Sequence, residues 1–204
     1  MPKIFFDLDG TILNVKKRLH KLFCELTEKT IDYDEYWNLK AMGYTQAMML
    51  DYISYPQDKK NFSSAWLKNV ERIDLLKLDY IRDGVKEALD EFLSLNYDMY
   101  IVTNRQLADN LTKQLSWLDL DKYFTKVIMT YQIFSKAMAV RNSGIMPIDG
   151  YFVGDSWEDM NTACELGIRG IFLGGCWEAH ADGSEKINCV ADFEMVRGVI
   201  QNEE

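Results

Sequence analysis

The segment Phe5-Phe6-Asp7-Leu8-Asp9-Gly10-Thr11 places two carboxylates two residues apart behind a short apolar run. On a regular strand, residues two apart point to the same side. Like charges that close are costly unless a cation sits between them or a proton is shared. Gly10 then allows a sharp turn. A calcium loop does not fit, because its later ligand positions would fall on Thr11, Ile12 and Arg18. The plainer alternative is a strand-end turn capped by aspartate.

Three further segments carry reactive side chains. In Val102-Thr103-Asn104-Arg105-Gln106, Thr103 and Gln106 have the spacing of a helix capping box. The same geometry offers a hydroxyl and free N–H groups, including that of Asn104, to a phosphate. In Phe134-Ser135-Lys136-Ala137-Met138, the plainer reading is an exposed lysine in a helix's first turn, capped by Ser135. A lysine there opposes the helix dipole, which counts against that reading. In Gly154-Asp155-Ser156-Trp157-Glu158-Asp159, Ser156 and Asp159 form a capping box, and Asp155 stands at the end of an apolar run.

Together, Asp7, Asp9 and Asp155 would make a hard, all-oxygen site suited to Mg²⁺. Thr103, Lys136 and helix-start N–H groups would make an anion site beside it.

The elements that must position these groups alternate. Short apolar runs at 3–9, 98–103, 126–130, 150–154 and 169–173 read as strands buried on both faces. Between them, residues 84–95 place Val85, Leu89, Phe92 and Leu93 on one helical face. Residues 105–118 do the same with Leu107, Leu111, Leu115 and Leu118, and 157–166 form a third helix before Gly167. The class is α/β with a parallel sheet, and every reactive group follows a strand's C-terminal end, where such sheets bind ligands.

Residues 15–79 break the rhythm with helix-like stretches at 15–30, 34–42, 45–55 and 64–78 and no strand. The expected organisation is a core of residues 1–14 and 80–204 with a helical cap of residues 15–79. Within the cap, Lys16, Lys17, Arg18, His20 and Lys21 form a basic cluster, a solvated face or a contact for an anionic substrate group. Trp37, Tyr44 and Trp66 are expected in the cap's own core. Trp157 and Trp177 are placed nearer the reactive segments.

The 204 residues carry 32 acids against 23 bases, a formal charge of −9. That balance argues against nucleic acid and anionic membrane as partners. A bound divalent cation would let a small anion bind nonetheless. No apolar run is long enough to cross a bilayer, and Asp7 interrupts the start of the chain too early for an export signal. Cys24, Cys164, Cys176 and Cys189 show no CxxC spacing and are expected as reduced thiols of a cytoplasmic protein. Two histidines, His20 and His180, are too few for a histidine metal cage.

The ordered segments from Asp7 to Asp159 resemble the motifs of the haloacid dehalogenase superfamily of phosphohydrolases. The resemblance implies a Rossmann-like sheet, with the strands above in spatial order 5-4-1-2-3. It implies Asp7 as the nucleophile forming an aspartyl-phosphate, and Asp9 as the acid and base. Mg²⁺ would be held by Asp7, the backbone carbonyl of Asp9, and Asp155, with Asp159 close by. Thr103, the Asn104 N–H and Lys136 would hold the phosphoryl oxygens.

The implied substrate is a small phosphorylated metabolite; oligomeric state is not readable. Retention of Asp9 separates the chain from the dehalogenases, whose halide leaves without a proton. The insert resembles the helical cap of the phosphoglycolate phosphatase and β-phosphoglucomutase branch. The chain departs from that branch in having Lys136-Ala137 where Lys-Pro is usual, and in a short interval from Lys136 to Asp155. Arg105, beside the Thr-Asn pair, is a phosphate contact or a surface residue. A phosphomutase or phosphotransferase with the same residues, and a non-catalytic ligand-binding relative, are the rival readings.

Overall fold

A computed structural model describes residues 2–56, 58–174 and 187–201. The chain divides into two compact units, Met1–Asn14 with Tyr80–Glu204, and Val15–Asp79.

The first unit is built on strands β1 (Lys3–Phe6) and β2 (Leu13–Asn14), resumes at β3 (Tyr80–Ile81), and continues through β4 (Asp98–Thr103), β5 (Lys126–Met129), β6 (Tyr151–Gly154), β7 (Arg169–Leu173) and β8 (Ile187–Val190). Six of them form one parallel sheet in the order β5-β4-β1-β6-β7-β8. This is the expected order read from the other edge, with β8 added beside the last anticipated strand. The edge strand β8 escaped the sequence reading because Ile187–Val190 is only half-buried over most of its length and lacks a continuous apolar run. β2 and β3 pair antiparallel as a two-residue ladder where the chain leaves and re-enters the unit. Strands that short carry no periodicity to read.

β1 lies at the centre, in register with both neighbours: Phe6 faces Ile101 of β4 and Val153 of β6. Its side chains alternate between the faces. Phe5 stacks on Tyr100 and Phe152 within a cluster that includes Ile128, Val140 and Ala163. Phe6 instead meets Phe92 and Phe193. The helices of this unit are α6 (Val85–Ser94), α7 (Ala108–Trp117), α8 (Lys136–Asn142), α9 (Trp157–Leu166) and α10 (Phe193–Gln201). Val85, Leu89 and Phe92 of α6 are buried, but Leu93 is exposed, since it lies past the edge of the apolar arc. The α7 helix starts later than expected; Leu107 is its N-cap residue and is exposed, while Leu111 and Leu115 are buried.

The second unit contains α1 (Lys16–Thr27), α2 (Tyr33–Ala41), α3 (Gln46–Tyr52), α4 (Lys59–Asn69) and α5 (Ile73–Leu76). Asp32, Thr45 and Asp58 cap α2, α3 and α4 with their side chains. The Asp58 cap moves the fourth helix five residues earlier than the expected Ser64, and Val70 ends it, so the anticipated 64–78 helix is two helices. Phe23, Ile31, Tyr36, Met49, Leu50 and Phe62 form its core, with Trp37, Tyr44 and Trp66 packed against it as expected.

The basic cluster of α1 does not act as one surface. Arg18 is buried and donates from Nε to Asp79 Oδ1 at 3.1 Å and from Nη1 to the Val70 carbonyl at 3.0 Å. His20 Nε2 lies 2.8 Å from the Ile31 carbonyl, and Lys16 sits over the Trp37 ring.

Cys24 and Cys164 are free, but Cys189 is disulfide-bonded, which corrects the expectation of four reduced thiols. Pairing depends on proximity in the fold, which sequence spacing does not display. Cys176, Trp177 and His180 lie outside the described residues.

Candidate active site

The parallel sheet sends the C-terminal ends of β1, β4, β5 and β6 to one edge. Asp7 follows β1 directly and donates its N–H to the Val153 carbonyl at 2.9 Å. Beyond it the strand is not regular: Leu13 N–H returns to the Leu8 carbonyl, and Gly10 takes φ +99°. A Cβ on Gly10 would stand 2.1 Å from Asp155 Oδ2, so only glycine lets the turn approach that carboxylate. The two aspartates each meet a different cation.

Asp7 meets Lys136. The lysine opens α8, whose N-cap Ser135 accepts from the Met138 N–H. It is only 3% exposed, which overturns the reading of a surface lysine. Its Nζ donates to Asp7 Oδ1 at 2.5 Å and to Asp159 Oδ1 at 2.6 Å. Asp159 is fully buried, and its other oxygen accepts from the Ser156 N–H at 3.1 Å and the Ser156 hydroxyl at 2.6 Å. The capping box of α9 is thus present and serves the site as well, because it aims Asp159 at Lys136. Gly154 makes room, since a Cβ there would lie 2.3 Å from Asp159 Cβ.

Asp155 Oδ1 accepts from the Thr11 hydroxyl at 3.2 Å. Asp7, Asp155 and Asp159 each bring an oxygen within 4.8 Å of the others. Among the described residues no other group of three His, Cys, Asp or Glu side chains is disposed to hold a metal ion. Burial lifts the Asp7 carboxyl well above the ordinary range; Lys136 opposes this, and the charges of Asp159 and Asp155 add to it. Burial, then the Asp159 charge, pushes Asp155 up to about 6. Burial works against the Lys136 ammonium, but Asp7 and Asp159 outweigh it and raise its pKa. Two carboxyls that favour the proton, beside a lysine already shared between Asp7 and Asp159, mark a site short of positive charge.

Asp9 meets Arg105. The guanidinium donates from Nε to Asp9 Oδ2 at 2.5 Å and from Nη2 to Asp9 Oδ1 at 2.7 Å. Arg105 is therefore neither a surface residue nor, in this arrangement, a group directed away from the acids. Thr103 is buried and ends β4; its hydroxyl accepts from the Arg105 N–H at 3.4 Å. The capping box proposed for Thr103 and Gln106 does not form, because the helix begins only at Ala108. Asn104 accepts from the Thr130 hydroxyl at 2.8 Å and donates to Glu158 at 3.0 Å, tying the ends of β4 and β5 to α9.

A family model described as haloacid dehalogenase-like hydrolase matches residues 4–173. The chain belongs to the haloacid dehalogenase-like hydrolase family. No curated protein matches the sequence. Among solved structures, this hydrolase resembles a haloacid dehalogenase-like family hydrolase from Streptococcus pneumoniae, with a TM-score of 0.72 at 18% identity over 98% of this chain and 99% of that one. A predicted phosphoglycolate phosphatase from Haemophilus somnus aligns with a TM-score of 0.62 at 19% identity, covering 98% of each chain. A candidate β-phosphoglucomutase from Thermotoga maritima aligns with a TM-score of 0.67 at 16% identity, covering 99% of each chain.

In this hydrolase, the structure brings Asp7, Lys136, Asp155 and Asp159 into one cluster, and Asp9, Thr103 and Asn104 around Arg105 and Thr130. The sequence reading did not assign Thr11, Gln114, Thr130 or Glu158. Gln114 carried a signal: it falls on the apolar face of α7 between Leu111 and Leu115, and a polar residue there requires a buried partner.

Proposed function

We propose that the chain is a phosphatase that hydrolyses a small phosphate monoester through an aspartyl-phosphate on Asp7. The observation that carries this reading is the Asp7–Lys136–Asp159 bridge with Asp155 beside it. An Asp7 carboxylate oxygen attacks phosphorus while the bond to the leaving oxygen breaks. The departing electron pair takes a proton from the Asp9 carboxyl. Water then attacks phosphorus as the bond to the Asp7 oxygen breaks, Asp9 accepts the water's proton, and phosphate leaves with the Asp7 carboxylate restored. Lys136 neutralises charge on the phosphoryl oxygens, and the Thr103 hydroxyl and the Asn104 N–H hold them.

The donor set fits Mg²⁺: the clustered ligands are all oxygen, and the site lacks positive charge. Asp7, Asp155 and the Asp9 carbonyl would hold the ion. Asp159, whose oxygens are occupied by Lys136 and Ser156, would act through the lysine. Bound there, the ion supplies Lewis-acid neutralisation of the phosphoryl charge. The helical unit 15–79 is proposed to carry substrate specificity, and the substrate is a phosphorylated metabolite rather than nucleic acid or membrane.

The test is phosphate release from p-nitrophenyl phosphate by wild type and Asp7→Asn, with Mg²⁺ and with chelator. Turnover should need Mg²⁺ and fall at least about 10⁴-fold in the variant, as expected on loss of a nucleophile. Turnover that survives either Asp7→Asn or chelation overturns the reading. Transfer of the phosphoryl group to an added sugar phosphate in preference to water would identify a mutase instead.

A further inference from the structure

Arg105 is a buried cation beside the candidate site for which the proposed reaction has no use. It is 3% exposed, whereas the Asp9 side chain that it grips is 30% exposed. The contact is a fork: two guanidinium nitrogens, each on a different carboxylate oxygen, at 2.5 and 2.7 Å. Nη2 also donates to Gln114 Oε1 at 3.1 Å, and Gln114 is fully buried on α7. The backbone N–H of Arg105 is held by Thr103. Gln114 thus holds the guanidinium, and Thr103 the backbone, of the residue that reaches Asp9.

A bidentate fork fixes more than distance. It holds the carboxylate in the plane of the guanidinium and removes rotation about the last side-chain bond. Each carboxylate oxygen has two lone pairs, and the fork takes one from each. The remaining pair on each oxygen then points away from Arg105 in a set direction. A partly exposed aspartate without such a clamp samples several rotamers, and each one that misses the leaving oxygen removes a fraction of productive encounters.

We infer that Arg105 is the positioning residue for Asp9: clamped by Gln114, it sets the direction in which Asp9 gives and takes its proton, without itself holding the phosphoryl group. The inference rests on the reading of Asp9 as the acid and base. A lysine could supply the charge at this place but not the fork.

The experiment measures kcat and KM with Mg²⁺ for p-nitrophenyl phosphate, phenyl phosphate and benzyl phosphate. These leaving groups need a proton increasingly in that order. The proteins are wild type, Asp9→Asn, Arg105→Ala, Arg105→Lys, Gln114→Leu and the double variant Asp9→Asn/Arg105→Ala. Arg105→Ala should lower kcat about 100-fold on benzyl phosphate, the cost of a displaced catalytic group. On p-nitrophenyl phosphate, whose leaving group needs no proton, kcat should fall much less, by no more than the share of Asp9 as base in hydrolysing the aspartyl-phosphate, and KM for both should stay within about twofold. Arg105→Lys should restore only part of the loss, and Gln114→Leu should show the same pattern more weakly. In the Asp9→Asn background, Arg105→Ala should add nothing. Should Arg105→Ala fail to fold, as judged by its melting transition, Arg105→Lys and Gln114→Leu carry the same leaving-group comparison.

Equal losses on all three substrates, a raised KM with kcat intact, or losses that multiply with those of Asp9→Asn would each overturn the inference and make Arg105 a structural or phosphate-binding residue. If Asp9→Asn discriminates among leaving groups and the Arg105 and Gln114 variants do not, the inference fails while the proposed reaction stands. If Asp9→Asn itself shows no discrimination, the role of Asp9 in that reaction fails, and the inference with it.

Discussion

Two of the buried ionic arrangements among the described residues, one from each unit, differ in kind. In the helical unit, the Arg18 guanidinium joins Asp79 and the Val70 carbonyl, linking α1 to the segments that end the unit. In the α/β unit, Lys136 spans Asp7 and Asp159, with Asp155 close enough to share an ion with both. The first uses a planar, permanently charged fork to pin chain segments that are distant in sequence. The second crowds carboxylates around a point charge that cannot satisfy them all. A buried pair and a cluster holding more carboxylates than cations are told apart by this surplus, not by burial.

The sharpest contrast lies in Asp7→Asn. The substitution should abolish turnover, yet removing one carboxylate from a crowded acidic cluster relieves like-charge repulsion. Stability in chelator, measured by urea denaturation, should therefore stay level or rise. A loss of several kcal/mol would mean that the Asp7–Lys136 contact is a structural pin like Arg18–Asp79, and the contrast would collapse.

Arg18→Ala should do the reverse. It leaves Asp79 buried without its guanidinium, and breaking such a pair from one side costs about 3–5 kcal/mol. The folded fraction should keep its kcat on p-nitrophenyl phosphate, since Arg18 is engaged by Asp79 and Val70. A variant of unchanged urea midpoint but raised KM would return Arg18 to the substrate-binding role that its basic neighbours invite.

These same residues show what a sequence does and does not make legible. The central strands could be read because strands buried on both faces are apolar throughout, as Ile4, Phe5 and Phe6 are. The edge strand Ile187–Val190 and the two-residue ladder of Leu13–Asn14 with Tyr80–Ile81 could not, because edges and short pairings lack that pattern. Asp7, Lys136 and Asp155 could be located by type and by their place after strands. Their partners could not. Which carboxylate takes which cation depends on the segments after β4 and β5, which bring Arg105 to Asp9 and Lys136 to Asp7, and the order of residues does not display that. Likewise, the cluster of Lys16, Lys17, Arg18, His20 and Lys21 in α1 reads as a surface, although Arg18 is among the most buried large side chains of the described residues.

A smaller effect follows from Asp155, whose carboxyl is pushed from 3.8 up to about 6 by burial and the Asp159 charge. A folded-state pKa above the unfolded value means that the fold favours the protonated form. That contribution is fully present below about 4 and is lost as pH rises through about 6. Because Asp155 is partly exposed, solvent screening leaves only part of that shift as stability. In chelator, the urea midpoint should therefore fall between those two pH values, with the raised Asp7 carboxyl acting in the same direction. With Mg²⁺ the dependence should invert, because the ion needs the carboxylate that the metal-free fold disfavours. The stability gained on adding Mg²⁺ should grow across the same window, and Asp155→Asn should remove most of that growth. A gain that is flat with pH would show that Asp155 is ionised before the ion arrives. The cluster would then be no shorter of positive charge than the Arg18 pair, and the distinction between the two arrangements would have to rest on geometry alone.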